Sequence, residues 1–388
     1  MIYLDNCATT KPRKEVVDKM VEAMTIDFGN PSSLHRLGFH AEKKVKEARE
    51  IIADYLKVEN KEIYFTSGGT ESNNIAIQSI ARKYSKKGKH IITSAIEHPS
   101  VLDVYKHLED VGFSVTLLDV DENGYVDLDT LSKEIKEDTI LVSIIHVNNE
   151  IGALQNIKGI KEIINKSVSK PLLHLDGIQS FGKVEFSLKA LGVDTYSFSG
   201  HKVYGPKGIG GLYICKDLKL DPILYGGGQE SGLRSGTENV PGIIGLGEAV
   251  KILSTNSRNE AQEAFKLKKY LVSKIIKEIE NVKVNTSLDA TSSPYILSLT
   301  FKGTRGEILL HYLEEKGIYV STSSACSSNG TTKSHVLKSI GLSNDEIEGT
   351  IRICLSYEIT KEDIDYTVEQ LRIAVNDIRS IIGRWFIG

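Results

Sequence analysis

The stretch SFSGHKVYGPKG, Ser197 to Gly208, centres on Lys202 and follows an apolar run over Val193 to Phe198. Glycines and a proline surround this lysine, so the loop backbone can approach a ligand closely. Lysine side chains are normally kept in water, because burying an ammonium group is costly. A lysine held at the end of a buried strand with a lowered pKa is a nucleophilic amine, able to condense with an aldehyde such as that of pyridoxal phosphate (PLP). This stretch alone also fits an ordinary surface lysine in a glycine-rich turn.

Strand-like and helix-like runs alternate along the chain before and around this stretch. The predicted strands are Glu62–Thr66, His90–Ile96, Ser114–Val120, Ile140–Val147, Leu172–Asp176, Tyr196–Ser199 and Gly211–Cys215. The predicted helices between them are Glu71–Tyr84, Ser100–Val111, Leu128–Lys136 and Ile157–Ser167. Alternation of this kind, with strands that are apolar on both faces, predicts an α/β fold with a mostly parallel sheet covered by helices.

The pattern changes after Thr237 and predicts a second, smaller α+β domain. Its predicted elements are helical stretches over Pro241–Ser254 and Asn259–Glu280, strand-like runs over Tyr295–Phe301 and Thr350–Leu355, and an amphipathic helix over Lys361–Ile382. We therefore expect a large domain over residues 15–255 and a small domain made of residues 1–14 and 256–388. The segment Ser321–Ser334, STSSACSSNGTTKS, is too polar and too small-sided to pack, and it predicts a mobile loop.

Composition narrows the class of protein. The 388 residues carry a net charge of −3 with 40% hydrophobic and 26% charged residues, which is typical of soluble globular proteins and not of nucleic-acid or lipid binders. No apolar run approaches the roughly 20 residues of a membrane span. The amino terminus MIYLDNCATT lacks the basic and apolar regions of a signal peptide, so we expect a cytoplasmic protein with no membrane or direct nucleic-acid partner.

The four cysteines are far apart in sequence and form no CxxC pair, so no zinc site or dithiol motif is predicted. Cys215 and Cys354 lie in apolar runs and are expected to act as small apolar residues. Cys7 is ambiguous, and Cys326 lies in the polar loop of the predicted small domain.

Polar residues follow five of the strand-like runs. The groups are Ser67-Gly68-Gly69-Thr70-Glu71, His98, Asn148-Asn149-Glu150, Asp176 with Gln179, and Ser199, His201 and Lys202. Ligands of open parallel sheets bind outside the carboxyl ends of the strands, so these groups can converge on one crevice.

Each group has both a chemical role and a local structural explanation. Two glycines before a helix can cradle an anion, His98 can stack on a flat ring or move protons, and paired amides can hold a ring oxygen or a carboxylate. A buried Asp176 calls for a cation, such as a protonated pyridine nitrogen. Taken singly, the same residues fit a capped turn, a histidine at a helix start, an Asx-turn and a capping aspartate.

The order of these groups resembles the class V, aminotransferase-like PLP enzymes and, more narrowly, the NifS/IscS-type cysteine desulfurases. The resemblance runs nearly end to end, through YLDNCATT, GNPSSLHRLG, TSGGTESNN, EHPSVL, HVNNEIG, HLDGIQSFGK, SFSGHKVYGPKGIGGLY, GGGQESGLRSGTENV and SSACSS. It implies a fold-type I PLP-dependent transferase that forms a homodimer and converts L-cysteine to L-alanine.

The resemblance also implies roles for individual residues. Lys202 would hold PLP, Asp176 would pair with its pyridine nitrogen, Gln179 with its phenolic oxygen, and His98 would stack on the ring and move protons. Gly69, Thr70, Ser199 and His201 would surround the phosphate, together with Thr237 of the other subunit. Asn149 and Arg352 would hold the substrate α-carboxylate, a role that suits the planar guanidinium.

Cys326 would be the nucleophile that takes the sulfur as a persulfide and passes it to an acceptor protein. The acceptor would be an iron–sulfur scaffold or a protein of tRNA or thiamine thiolation; an exposed loop thiol without a role is the alternative. Two departures put the scaffold in doubt: Tyr357 stands where the family often has a second arginine, and the carboxyl terminus after it is short. Alternative functions are a selenocysteine lyase, an ordinary class V aminotransferase, or a sulfur-relay and assembly partner with little activity of its own.

Overall fold

The structure is a computed structural model that describes residues 1–322 and 333–385. Its strands are β1 (Ile2–Tyr3), β2 (Ile63–Thr66), β3 (His90–Ser94), β4 (Ser114–Leu118), β5 (Thr139–Ile145), β6 (Leu172–Asp176), β7 (Thr195–Ser199), β8 (Gly210–Ile214), β9 (Val282–Val284), β10 (Ile296–Phe301), β11 (Ile318–Tyr319), β12 (Ser321–Thr322) and β13 (Thr350–Cys354). Its α-helices are α1 (Lys14–Thr25), α2 (Arg36–Leu56), α3 (Gly69–Tyr84), α4 (Pro99–Asp110), α5 (Leu128–Glu134), α6 (Ile157–Lys166), α7 (Leu188–Leu191), α8 (Val240–Glu278), α9 (Gly306–Glu315), α10 (His335–Ser339), α11 (Asn344–Glu348) and α12 (Lys361–Trp385).

Seven strands form the large sheet, in the order β2-β8-β7-β6-β5-β3-β4. The neighbours from β4 to β7 are parallel, whereas β8 is antiparallel to both β7 and β2. The prediction of a mixed, mostly parallel sheet is confirmed. The strands β2, β3, β5, β6 and β7 consequently all end at the same edge.

Helices cover both faces of this sheet. Successive strand residues point to opposite sides, and the strands carry apolar residues on both sides that need to be buried. On one face, Ile91 and Leu141 pack in a cluster with residues of α3 and α4. On the other face, Ile92 and Val142 pack in a cluster with residues of α2 and α8. In α2 the apolar residues that reach this core recur at helical spacing, at Ala41, Val45, Ala48 and Ile52.

A second hydrophobic core is built around the antiparallel sheet β12-β13-β10-β9 and the parallel pair of β1 and β11. Helices α9 and α12 and the end of α8 supply apolar residues to it. Ile2 and Leu4 pack in this core too, although they stand at the other end of the chain. The antiparallel sheet with helices agrees with the predicted α+β character of this part.

Helix α8 passes from one core to the other. Its first turns, including Ile243 and Leu253, pack in the core of the large sheet, and Leu271 and Ile275 pack in the second core. The two predicted helical stretches are therefore one helix, and the boundary predicted at residue 255 falls inside it.

The ends of the segment predicted as a mobile loop, Ser321–Ser334, are ordered. Ser321 and Thr322 form β12 and pair with β13, and the Ser334 hydroxyl caps α10 by accepting the backbone N–H of Leu337. Residues 323–332, with Cys326, lie outside the described residues, so the prediction for them stays a prediction.

None of the helices in the described ranges combines the length and the apolar character needed to cross a bilayer.

The second core yields a test on one helix. Ile364 and Ile381 both lie on α12, with 1% and 57% of their surface exposed. Ile364→Ala should cost about 2–5 kcal/mol of unfolding free energy, because it removes packed methyl groups and leaves a cavity. Ile381→Ala should stay within about 0.5 kcal/mol. Urea unfolding followed by circular dichroism at one protein concentration compares them; equal losses would refute the assignment of the buried face.

Candidate active site

A cavity of about 270 Å³ opens at the carboxyl ends of the parallel strands. Ten of the predicted site residues line it: Gly69, Thr70, His98, Asn149, Asp176, Gln179, Ser199, His201, Lys202 and Arg352. Cys7, Ala8, Ser100, Ile145 and Ile178 complete its wall. The structure thus brings together groups that are separated by nearly three hundred residues of sequence.

Lys202 ends the short 3₁₀ turn Gly200–Lys202 that directly follows β7. Its Nζ donates to the carbonyl oxygens of Cys7 at 2.5 Å and Ala8 at 2.8 Å. Thr10 fastens the same amino-terminal segment to the lysine loop, since its N–H and hydroxyl both donate to the carbonyl of His201. The lysine amine is thus held by backbone carbonyls within the cavity wall.

Asp176 ends β6 with only 2% of its surface exposed. Its Oδ1 accepts the backbone N–H of Ile178 at 3.0 Å, and its Oδ2 accepts Nδ2 of Asn73 at 3.0 Å. Burial raises the pKa of this carboxyl group, while the charges of His98 and Lys202 act against that rise. A buried carboxylate with two acceptor positions occupied suits a cationic ring nitrogen as a further partner.

His98 is the N-cap of α4, so the predicted local explanation also holds. Its Nδ1 accepts the backbone N–H of Ser100 at 3.1 Å and lies 2.9 Å from the Ser100 hydroxyl. Burial lowers the pKa of this imidazole. Because Nδ1 accepts a backbone hydrogen, the neutral ring carries its own hydrogen on Nε2, and this nitrogen is the one that can exchange a proton.

The start of α3 presents backbone donors to the cavity. No side chain caps this 16-residue helix at Gly68, whose φ of 155° lies in the region that favours glycine. A Cβ on Gly69 would approach the Ile178 side chain to 2.6 Å, so a larger residue there would have to displace Ile178. His201 adds an imidazole that burial keeps neutral by lowering its pKa to about 4. A helix N-terminus with hydroxyl and imidazole groups around it suits a phosphate.

Gln179 is held from both sides. Its Nε2 donates to the carbonyl of Cys7 at 2.9 Å, and its Oε1 accepts Nζ of Lys183 at 2.6 Å. Because Lys183 donates to Oε1, the nitrogen Nε2 is the donor end of the Gln179 amide. Nε2 of Gln179 and Nζ of Lys202 donate to the same carbonyl, that of Cys7.

Arg352 lies on β13 with 2% of its surface exposed, and its guanidinium joins three segments. Nη2 forms an ion pair with Oδ1 of Asp5 at 2.8 Å, and Nη1 donates to the carbonyl of Asn149 at 2.9 Å. Within residues 1–322 and 333–385, its buried Nε has no hydrogen-bond partner. An unpaired buried donor on the wall of a cavity suits a ligand acceptor such as a carboxylate. Asn148 forms the predicted Asx-turn, since its Oδ1 accepts the N–H groups of Glu150 and Ile151.

Two predicted site residues are not placed in this cavity. Thr237 is exposed and does not line it, so a role in the partner subunit's site stays a prediction. Cys326 lies outside the described residues. Tyr357, which was noted as a departure, lies under the guanidinium of Arg13 at 3.9 Å and away from the cavity wall.

Sequence reasoning missed the residues that support the site. Asn73 donates to Asp176 and to the Ser100 hydroxyl, and its Oδ1 contacts Nε2 of His174 at 3.1 Å. Burial lowers the pKa of His174 to about 3, so its ring is a neutral donor to Asn73. Asn73 stands one helical turn after Thr70, and that spacing was the one signal available for it.

Glu97, next to His98, yields a test of the electrostatics of this wall. It is fully buried, and its Oε1 accepts the Ser94 hydroxyl and the N–H of Ile145. Its Oε2 has no partner in the part of the chain that the structure describes. Burial raises the pKa of this carboxyl group to about 8, well above its usual 4.5. The folded protein therefore keeps a proton between pH 4.5 and 8 that the unfolded chain gives up, and stability falls as pH rises through this window.

Glu97→Gln should remove that loss. From pH 5 to pH 8, the free energy of unfolding of Glu97→Gln should rise relative to that of the unaltered protein by about 1.4 kcal/mol per pH unit. Unfolding measured at four pH values tests it, with the exposed Glu122→Gln as the control that should show no such trend. A difference that does not change with pH would contradict a buried neutral carboxyl.

Comparisons with known proteins show the family to which the chain belongs. The Aminotransferase class-V family matches residues 2–367. Cysteine desulfurase IscS of Dictyoglomus turgidum is 42% identical over 380 residues, which cover 98% of this chain and 96% of that protein. Cysteine desulfurase IscS of Methanosarcina thermophila is 44% identical over 380 residues, which cover 98% of this chain and 93% of that protein.

Solved structures agree as well. A NifS-like protein superposes with a TM-score of 0.91 at 39% identity, covering 97% of this chain and 99% of that one. A structure described as SspA in complex with cysteine has a TM-score of 0.81 at 36% identity, covering 93% of this chain and 100% of that one. These matches confirm the predicted fold-type I architecture. The chain therefore belongs to the class-V aminotransferase family and, within it, to the cysteine desulfurases of the NifS/IscS type.

Proposed function

We propose that this cysteine desulfurase binds PLP in the cavity, converts L-cysteine to L-alanine and leaves the sulfur as a persulfide on Cys326. The observation that carries the proposal is the meeting of three groups on one wall: the amine of Lys202, the buried carboxyl of Asp176 and the unpaired Nε of Arg352. An aldehyde, a ring cation and an amino-acid carboxylate are the partners that these groups suit.

The residues present fit PLP. Bound PLP would supply an electron sink for bonds at the α-carbon of an amino acid. Asp176 would hold the protonated ring nitrogen, and the start of α3 with Ser199 and His201 would hold the phosphate. Gln179 would turn its Nε2 donor from the Cys7 carbonyl to the phenolic oxygen, and Lys202 would give up its two carbonyl partners to bond the cofactor.

The substrate would be held through its carboxylate. Nε of Arg352 would donate to one carboxylate oxygen, while the ion pair to Asp5 keeps the guanidinium in place. Asn149, whose own carbonyl is tied to Arg352, would add its side-chain amide. Lys202 Nζ and His98 Nε2 would then hold and move the protons at the α-carbon. The thiolate of Cys326 would attack the substrate sulfur, so that an S–S bond forms as the C–S bond breaks.

A homodimer is part of the proposal. Large apolar side chains are exposed along α1, the segment after it and the first turn of α2, at Val21, Met24, Phe28, Leu34 and Phe39. Apolar patches of this kind are usually covered by a protein partner. A second copy would cover them, and the exposed Thr237 would then reach the phosphate of the other subunit. The persulfide acceptor would be an iron–sulfur scaffold or a thiolation protein.

Lys202→Ala should lose the covalent cofactor and reduce alanine formation at least about 100-fold, because it removes both the attachment point and a proton carrier. Lys207→Ala, an exposed lysine of the same loop, is the matched control and should keep both. Borohydride reduction and peptide mass spectrometry locate the pyridoxyl group, and amino-acid analysis counts alanine. A pyridoxyl group still attached in Lys202→Ala would overturn the cofactor assignment.

The same assay separates the persulfide step. Cys326→Ser should lose the protein persulfide and slow alanine formation. Alanine formed at the unaltered rate with a reductant would show that Cys326 is not the nucleophile, and turnover that needs a keto acid and yields no sulfide would show an aminotransferase instead.

Arg352→Lys should lower kcat/KM for L-cysteine about 10–100-fold, mainly by raising KM, because lysine cannot bond a carboxylate and Asp5 in the same plane. The exposed Arg372→Lys should match the unaltered enzyme. Steady-state kinetics with both variants test this, and an unchanged KM in Arg352→Lys would exclude it as the carboxylate anchor.

A further inference from the structure

An ion pair lies beside the start of α3, where Gly69 and Thr70 line the cavity. Glu71 follows these two residues directly, and its Oε1 accepts Nε of Arg234 at 3.0 Å. Its Oε2 accepts the backbone N–H of Ser67, just before the helix. Glu71 thus joins this part of the cavity wall to a residue that stands 163 positions later in the sequence.

Glu71 is a carboxylate at neutral pH, although its side chain is only 14% exposed. Burial would raise the pKa of this carboxyl group, but the hydrogen bonds from Ser67 and Arg234 and the charge of Arg234 lower it. A carboxylate here opposes a second anion at the helix start, because like charges repel strongly where little water screens them. The guanidinium of Arg234 offsets that negative charge.

The loop that carries Arg234 is fastened to β2, the strand that leads to the start of α3. Glu230 of this loop is buried, and both of its carboxylate oxygens bond the guanidinium of Arg49 on α2, at 2.7 and 2.8 Å. Its Oε2 also accepts the backbone N–H of Phe65 at 2.8 Å. This second ion pair therefore fixes the loop against β2, so that Arg234 stands opposite Glu71.

We propose that Arg234 is a positioning residue for the phosphate of the cofactor and that it acts through Glu71. The inference rests on the proposed function, which assigns that phosphate to the start of α3. By offsetting the charge of Glu71, Arg234 allows the N-terminus of the helix to accept a doubly negative group. By holding the same carboxylate, it keeps the Ser67 N–H bonded and the turn into the helix in one shape. The effect is specific to the phosphate and does not extend to the pyridine ring or the aldehyde.

Pyridoxal tests this specificity, because it has the ring and the aldehyde of PLP but no phosphate. In full-length protein freed of cofactor, Arg234→Gln should weaken PLP binding about tenfold and change pyridoxal binding less than about twofold. Arg234→Lys keeps the positive charge and should lose less than about threefold in PLP affinity. Absorbance titrations give the Kd of each ligand. Arg82→Gln removes a positive charge from the exposed far end of the same helix; it is the matched control and should change neither Kd.

Glu71→Gln shows whether Arg234 acts through Glu71. A glutamine side chain still has an oxygen that accepts a hydrogen bond, but it has no charge to offset. Glu71→Gln should therefore bind PLP at least as tightly as the unaltered protein. When Glu71→Gln is already present, adding Arg234→Gln should weaken PLP binding less than about twofold.

The possible failures can be told apart. PLP binding by Arg234→Gln that equals that of the unaltered protein would overturn the proposal, and so would an equal loss of PLP and pyridoxal affinity, which marks a general disturbance of the fold. A full tenfold loss that persists with Glu71→Gln would show that Arg234 does not act through Glu71. Unaltered protein that binds pyridoxal as tightly as PLP would refute the proposed phosphate site itself, and this inference with it.

Discussion

The rest of the site depends on the burial of one carboxyl group. Asp176 lies at the end of a central strand where water cannot stabilise its charge, and an isolated carboxylate there would cost several kcal/mol. Asn73, which His174 orients, donates a hydrogen bond to this carboxylate. The nearby His98 and Lys202 stabilise its charge. This one constraint therefore ties together α3, α4 and the strands β6 and β7. The Asp176 carboxylate still favours a further, cationic partner, and this determines which kind of ligand the cavity is suited to hold.

Most of the large sheet and of the cavity wall could be predicted from the sequence, for a geometric reason. Parallel strands end at the same edge, so the polar residues that follow apolar runs are brought together without any knowledge of loop structure. Where strand ends were misjudged, tertiary packing was the cause. The apolar run from His90 predicts a strand that reaches Ile96, but β3 ends at Ser94. Ile96 is apolar because it packs in a separate cluster with Val336 and Leu337.

The supporting groups could not be predicted, because they depend on contacts that no local pattern encodes. His174 looks like a polar interruption in LLHLD, and only its position between Thr195 and Asn73 shows what it does. The contact of Cys7 with Lys202 joins residues nearly two hundred positions apart. The break predicted in α8 failed for a different reason. No side chain between Leu253 and Ala264 is buried, so this stretch of the helix is polar. A polar stretch is typical of a helix that bridges two cores through solvent, and it is equally typical of a loop.

The continuous helix α8 between the two cores affects how the chain unfolds. An α-helix keeps its shape through backbone hydrogen bonds, so the two cores at its ends cannot separate or turn independently unless several of those bonds break. The ion pair of Arg13 with Glu260 clamps the same stretch to the amino-terminal segment. Unfolding of either core therefore removes the packing of one end of α8, and this destabilises the other core. We therefore expect the two cores to unfold together, although the topology suggests two units.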